Sequence, residues 1–149
     1  VHPDCFVNVN VWRPFGSLLC IENMDKRKAV GRTAEEMDQL FEQFPDATLC
    51  FDIAHAHEVD PSMTEAYRIL RRHRARISQL HVSEVTSSSK HCRISDSALE
   101  SFREVASLLP RNVPVILESP VAPEEAAAEL RQARRIFEPI AAHRQVAHA

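Results

Sequence analysis

Four short apolar runs in this chain each end in a residue able to bind a metal, and those ends recur at intervals of 30, 29 and 37 residues. The runs read Leu18-Leu19-Cys20-Ile21-Glu22, Leu49-Cys50-Phe51-Asp52, Ile77-Ser78-Gln79-Leu80-His81 and Val115-Ile116-Leu117-Glu118. Such spacing suits a repeating strand–loop–helix–loop unit, because a parallel pair of strands needs a crossover of about a dozen residues or more. Successive parallel strands carry their terminal side chains to one rim. In a (β/α)8 barrel that rim, at the C-terminal ends of the strands, holds the active site. The pattern therefore predicts an α/β fold of about four βα units with Glu22, Asp52, His81 and Glu118 gathered at one end.

Composition narrows the class. The chain has 149 residues, 44% hydrophobic and 26% charged, ordinary for one globular domain. A net charge of −3 gives no sign of nucleic acid or of an anionic membrane as partner. No apolar stretch approaches the ~20 residues of a membrane span. Cys5, Cys20, Cys50 and Cys92 form no CxxC pair, which suits a reduced, cytoplasmic protein. An eight-unit barrel needs ~250 residues, and patterned sequence begins within the first ten positions. The expectation is a single domain over residues 1–149 forming the C-terminal half of a TIM barrel, with a small open α/β sheet or paired half-barrels as alternatives. Unpaired sheet edges would then call for a homodimer or a missing N-terminal half.

Helices are expected between the runs. Thr33-Ala34-Glu35-Glu36 and Ser62-Met63-Thr64-Glu65 both fit a capping box. The first opens a helix with Met37, Leu40, Phe41 and Phe44 inward, stopped by Pro45; the second has Ala66, Ile69 and Leu70 inward. The outer face of the second carries Arg68, Arg71, Arg72, Arg74 and Arg76. It reads as a solvated surface, because cations suit a helix C-terminus. Leu99, Phe102, Val105, Ala106 and Leu109 mark a third helix, and Pro123-Glu124-Glu125 opens a fourth that runs through Leu130, Ala133 and Phe137. Residues 141–149 read as a frayed tail. Segments 23–32, 54–61 and 83–94 read as long polar loops on the rim where function gathers.

Two glutamates, an aspartate and a histidine supply oxygen ligands plus one imidazole. That mixture suits Mn, Mg, Co or Zn and is too oxygen-rich for a structural zinc site. Alone, each residue has an ordinary structural reading as an edge charge, a helix cap or a hydrogen-bonded core histidine; together they read as a ligand cluster. His55, three residues past Asp52, and His91 are candidate substrate contacts, or ligands of a second metal. His2 is a candidate further ligand, and His57 a loop residue. Lys26 and Arg27, in the run Asp25-Lys26-Arg27-Lys28, are candidates for holding an anionic substrate group.

Glu22-Asn23-Met24-Asp25, Phe51-Asp52-Ile53-Ala54-His55-Ala56, Leu80-His81-Val82-Ser83-Glu84 and Ile116-Leu117-Glu118 resemble the last four strand ends of the xylose-isomerase-like barrels. That superfamily includes ketose 3-epimerases, sugar isomerases and the endonuclease-IV-type enzymes that cut DNA at abasic sites. The resemblance spans residues 1–138 and implies that Glu22, Asp52, His81 and Glu118 share a divalent metal. It also implies that Glu22 and Glu118 are the acid–base pair acting on a sugar or related polyol, with His55 orienting it. In the nuclease branch His55, His91 and an aspartate two residues before the latter complete a three-zinc cluster. This chain has Ser89 there, leaving Asp4 or Glu84 as compensating carboxylates. A third expectation is a non-catalytic barrel serving as a partner module, against which the intact ligands argue.

Overall fold

The computed structural model describes residues 1–138. The expected tail over 141–149 lies outside the described residues. Four parallel strands form one sheet in the order β1-β2-β3-β6: β1 (Cys20–Glu22), β2 (Thr48–Asp52), β3 (Ile77–Val82) and β6 (Val115–Leu117). Each of the four predicted runs thus supplies one strand, and chain order equals sheet order. A two-stranded antiparallel hairpin, β4 (Glu84–Val85) and β5 (His91–Cys92), occupies the segment expected to be an open loop.

Six α-helices accompany the strands among the described residues: α1 (Val9–Trp12), α2 (Ala34–Gln43), α3 (Ile53–Val59), α4 (Thr64–His73), α5 (Asp96–Val105) and α6 (Ala126–Arg134). The Thr33 box forms in altered shape. Thr33 Oγ1 accepts from Glu36 N at 3.2 Å, but the Glu36 carboxylate reaches Arg32 N, at 2.7 Å, rather than Thr33 N. The Ser62 box does not form. Helix α4 starts at Thr64 behind Met63, whose φ of 58° is left-handed. The cap comes instead from Asp60, which accepts from Glu65 N at 3.0 Å and from Ser62 N at 3.0 Å. Glu65, the intended partner, is buried and accepts from Ala34 N.

One face of the sheet, with Ile21, Leu49, Phe51, Leu80 and Val82, packs with Met37, Phe41, Ile69, Leu70, Leu99 and Phe102 from the helices in one core cluster. The arginine face of α4 is largely occupied. Arg68 and Arg72 pair with Glu35, Arg72 also with Asp38, while Arg76 donates to the carbonyls of Pro45 and Ala47. These contacts fasten α4 to α2 and agree with the solvated-face reading. Leu130, on the expected fourth helix, is 46% exposed. It faces an open cleft with Val115, Leu117, Ala133 and Phe137, because β6 has no strand beyond it among the described residues. At the other edge, Val1 makes both ladder bonds of a parallel neighbour, donating to Cys20 O and accepting from Glu22 N.

β3 is irregular at one point that decides the site. Its register with β2 shifts between Leu49 and Cys50, so that Leu49 pairs with Ile77 and Cys50 with Gln79. Side chains alternate along a regular strand, so Ile77, Gln79 and His81 would share a face. The extra residue, Ser78, lets Ile77, Leu80 and Val82 all join the core while His81 stands opposite Asp52.

Candidate metal centre

Glu22 ends β1, Asp52 ends β2, His81 is the penultimate residue of β3 and Glu118 follows β6. One donor atom from each of these four lies within 4.8 Å of the others. His81 Nδ1 is 3.1 Å from Glu118 Oε1 and 3.4 Å from Glu22 Oε1. Even so, His81 Nδ1, Asp52 Oδ2 and Glu118 Oε2 are buried without a hydrogen-bond partner. Leaving such atoms unsatisfied costs about 1–3 kcal/mol each. Two orphaned carboxylate oxygens, converging on an imidazole nitrogen held only by ion pairs, fit a divalent cation such as Mn, Mg, Co or Zn.

The charges of the cluster are tightly linked in the metal-free chain. Burial pushes the Asp52 carboxyl up to about 7, with the negative Glu22 and Glu118 adding to the effect. Glu118 is held down at about 2, chiefly by the neighbouring His81. Burial opposes charge on His81, but the carboxylates of Glu118 and Glu22 prevail and raise it to about 10. Glu22 is lowered against the penalty of its own burial, by His81 first. A protonated imidazole thus stands between carboxylates where a cation would neutralise them.

Asp52 has two tasks, one per oxygen. Its Oδ1 accepts from His55 N at 2.9 Å and caps α3, while Oδ2 faces the cluster. This cap is why 54–61 is mostly helix rather than the expected loop. Asn23, fully buried, completes the arrangement. Its side-chain amide donates to Asp52 O and its Oδ1 accepts from Asp52 N, both at 2.8 Å, imitating one more rung of the β1–β2 ladder. Asn23 O lies 3.0 Å from His55 Nδ1. That places the proton on His55 Nδ1 and leaves Nε2 as the acceptor. His55 Nδ1 is also 3.5 Å from Glu22 Oε1 and 3.6 Å from Asp52 Oδ2.

His91, on β5, lies with its ring 5.4 Å from that of His55, tilted by 44°, and brings Nε2 within 3.6 Å of Glu118 Oε2. The buried Ser83 fixes it through a 2.8 Å hydrogen bond to Nδ1. Asp52, His55 and His91 form a further group of donors within 4.8 Å. His2 stands 3.4 Å from Glu22 Oε2, whereas His57 sits edge-on to Phe102 and away from the centre.

The rim cations are not free. Lys26 faces Glu58 at 3.3 Å, and Arg27 clasps Asp25 while donating to the carbonyls of Ser88 and Ser89. Lys28 pairs with Asp4, and Arg32 with Glu36. Of the two carboxylates expected to compensate at Ser89, Asp4 is paired with Lys28 and Glu84 accepts from Ser95 N. Ser89 Oγ instead donates to Glu58, 2.6 Å from Oε1. Arg27 therefore joins the 23–32 loop to the hairpin turn. Gly31 closes that loop with φ of 85°, where a Cβ would lie 2.9 Å from Pro3 Cγ. Asn23, Ser83 and Glu58 carry no role in the sequence reading. Each acts through a partner more than seven positions away in the chain, and only Asn23 had a signal, its place directly after a strand-final glutamate.

The family profile described as "Xylose isomerase-like TIM barrel" matches residues 9–140. No protein of curated function matches the chain. The match spans all four strands and the four convergent donors, and the chain belongs to the xylose isomerase-like TIM barrel family.

Proposed function

We propose that this chain supplies the metal-binding, C-terminal four βα units of a barrel enzyme, a divalent-metal-dependent isomerase or epimerase acting on a sugar or related polyol. The observation that carries the proposal is the convergence of Glu22, Asp52, His81 and Glu118, with Asp52 Oδ2 and Glu118 Oε2 buried and without a hydrogen bond. A cation held by these four would polarise adjacent carbonyl and hydroxyl oxygens of the substrate. Glu22 and Glu118, flanking His81, are the proposed acid–base pair. One takes the proton from carbon and the other returns one to the opposite face. Glu118, at 26% side-chain exposure against 8% for Glu22, is the more accessible of the two. His55 presents Nε2, and His91 the nitrogen not bound to Ser83, toward substrate hydroxyls.

An uncharged substrate fits better than an anionic one. An anion would compete with Glu58 for Lys26 and with Asp25 for Arg27. The same pairs make a rim-stabilising role for Lys26 and Arg27 the simpler assignment.

One observation favours a second reading, a zinc-dependent phosphodiesterase of the abasic-site type: Asp52, His55 and His91 could hold another ion. Ser89 in place of a carboxylate weighs against it. Elemental mass spectrometry of protein purified without added metal separates the two, beside a Glu22→Ala/His81→Ala variant. About one metal per chain, lost in the variant, together with solvent-deuterium incorporation into a ketose or aldose, supports the isomerase. Two or three zincs with salt-sensitive DNA binding would replace it with the nuclease. No metal after reconstitution would refute both.

A further inference from the structure

The sheet face that carries Glu22, Asp52 and His81 continues one layer deeper into Cys50. This cysteine lies two residues before Asp52 on β2, hence on the same face, and the ladders set it opposite Glu22 on β1 and Gln79 on β3. It is 1% exposed, yet it does not belong to the apolar core cluster. Its neighbours are Cys20, whose hydrogen bond together with burial pushes the Cys50 thiol well above the usual thiol range, and Gln79, which lies 3.2 Å from His81 Nε2 through its own Nε2. The Cys50 Sγ, a Glu22 oxygen and a His81 ring nitrogen lie within 4.8 Å of one another. Two donor sets therefore share Glu22 and His81: the rim set with Asp52 and Glu118, and a deeper one with Cys50.

Resting on the metal reading above, we propose that Cys50 is a ligand of this centre and that its sulfur selects cobalt or zinc over magnesium or manganese. Oxygen and imidazole donors bind all four ions, whereas a thiolate discriminates strongly toward the softer ones. When such an ion binds, the Cys50 S–H bond breaks, its proton passes to solvent, and the sulfur lone pair forms the metal bond. No electron is transferred. A cysteine placed only to fill space would sit among aliphatic side chains; this one stands in the donor layer beneath Asp52.

The test is titration of the fully reduced, metal-free chain with Co²⁺, followed by ligand-field absorption in the visible and sulfur-to-cobalt charge transfer in the near ultraviolet. Wild type is expected to show both, and Cys20→Ser, which alters the neighbouring thiol bonded to Ser78, is expected to keep both. Cys50→Ser should lose the charge-transfer band and bind Co²⁺ about tenfold or more weakly, with Mn²⁺ affinity little changed. Bound cobalt without a sulfur band in wild type would overturn the proposal while leaving the metal centre intact. So would a band that survives in Cys50→Ser, or an equal loss of Mn²⁺ affinity. Failure to bind cobalt at all would overturn the metal centre and this proposal together. If Cys50→Ser fails to fold, Cys50→Ala is read in its place, with the same loss of the band expected.

Discussion

Asn23 shows how one residue governs the geometry of two donors, Asp52 and His55. It satisfies both backbone groups of Asp52 and leaves its own carbonyl to orient His55. Replacing it with alanine leaves a buried N–H and C=O unpaired, a loss of about 2–3 kcal/mol, so Asn23→Ala should lower both the unfolding free energy and metal affinity. Asn23→Asp keeps the shape but aims a carboxylate at Asp52 O. Chemical denaturation beside metal titration reads both effects, and unchanged metal affinity in either variant would contradict the role. Asp25 carries a pH prediction. Arg27 overcomes the burial penalty and holds Asp25 at about 2, below the ordinary 3.8. A depressed folded pKa stabilises above the unfolded value and loses that contribution as pH falls toward 2. Discounted for the half-exposed Arg27, the effect is on the order of 1–2 kcal/mol. Asp25→Asn should be less stable at neutral pH by that amount, with the difference vanishing near pH 2 in acid-unfolding curves. At the centre, His81 is raised to about 10, so in the metal-free chain its stabilisation is full below 6.5 and fades as pH rises through 10. A ligating imidazole must give up that proton. Metal affinity should therefore climb with pH across neutrality, and titration calorimetry should show heats that depend on the buffer's ionisation enthalpy.

At the scale of elements, the start of α4 and the bulge in β3 depart most from expectation. Ser62 looked like the cap because its spacing to Glu65 fits the box, but Glu65 is drawn across to Ala34 N at the start of α2. Asp60 then holds the turn through two backbone amides and the Ser62 hydroxyl. Asp60→Ala should cost about 1–2 kcal/mol and Ser62→Ala clearly less, an order that thermal unfolding can check. Left-handed Met63 invites replacement by glycine, yet its side chain is 1% exposed. Relief of about 1–2 kcal/mol of backbone strain does not offset the about 2–5 kcal/mol of lost packing, so Met63→Gly should destabilise. The β3 bulge has no compositional mark. Local pattern gives Ile77, Gln79 and His81 the same parity, and a one-residue slip is what reverses a strand's faces.

At the scale of the molecule, the two edges of the described sheet differ. Val1 pairs along the outer edge of β1, but β6 leaves Val115 46% and Ile116 40% exposed. Unprotected apolar edges recruit further strands. The isolated chain should therefore self-associate or melt with weak cooperativity, and Ile116→Lys should shift sedimentation velocity profiles toward monomer. A monodisperse wild-type monomer with a sharp transition would contradict this. The described residues contain no helix long and apolar enough to cross a membrane, and their four cysteines are free.

The sequence by itself determined the four strands, their parallel arrangement and the four residues that converge at their ends. Apolar β-run, terminal ligand and crossover length are local properties, and each is written within a few tens of residues. The Thr33 cap, the inward faces of α2, α4 and α5, and the solvated character of the α4 arginines were legible for the same reason. What only the tertiary structure decided depends on partners distant in the chain. Lys26 and Arg27 read as free cations until Glu58 and the hairpin carbonyls met them. Asn23 and Ser83 read as loop polars until burial gave them Asp52 and His91. His81 faces Asp52 only because Ser78 is bulged out of register, and packing of Ile77, Leu80 and Val82 into one core selects that register over the regular one, since burying all three apolar side chains favours it.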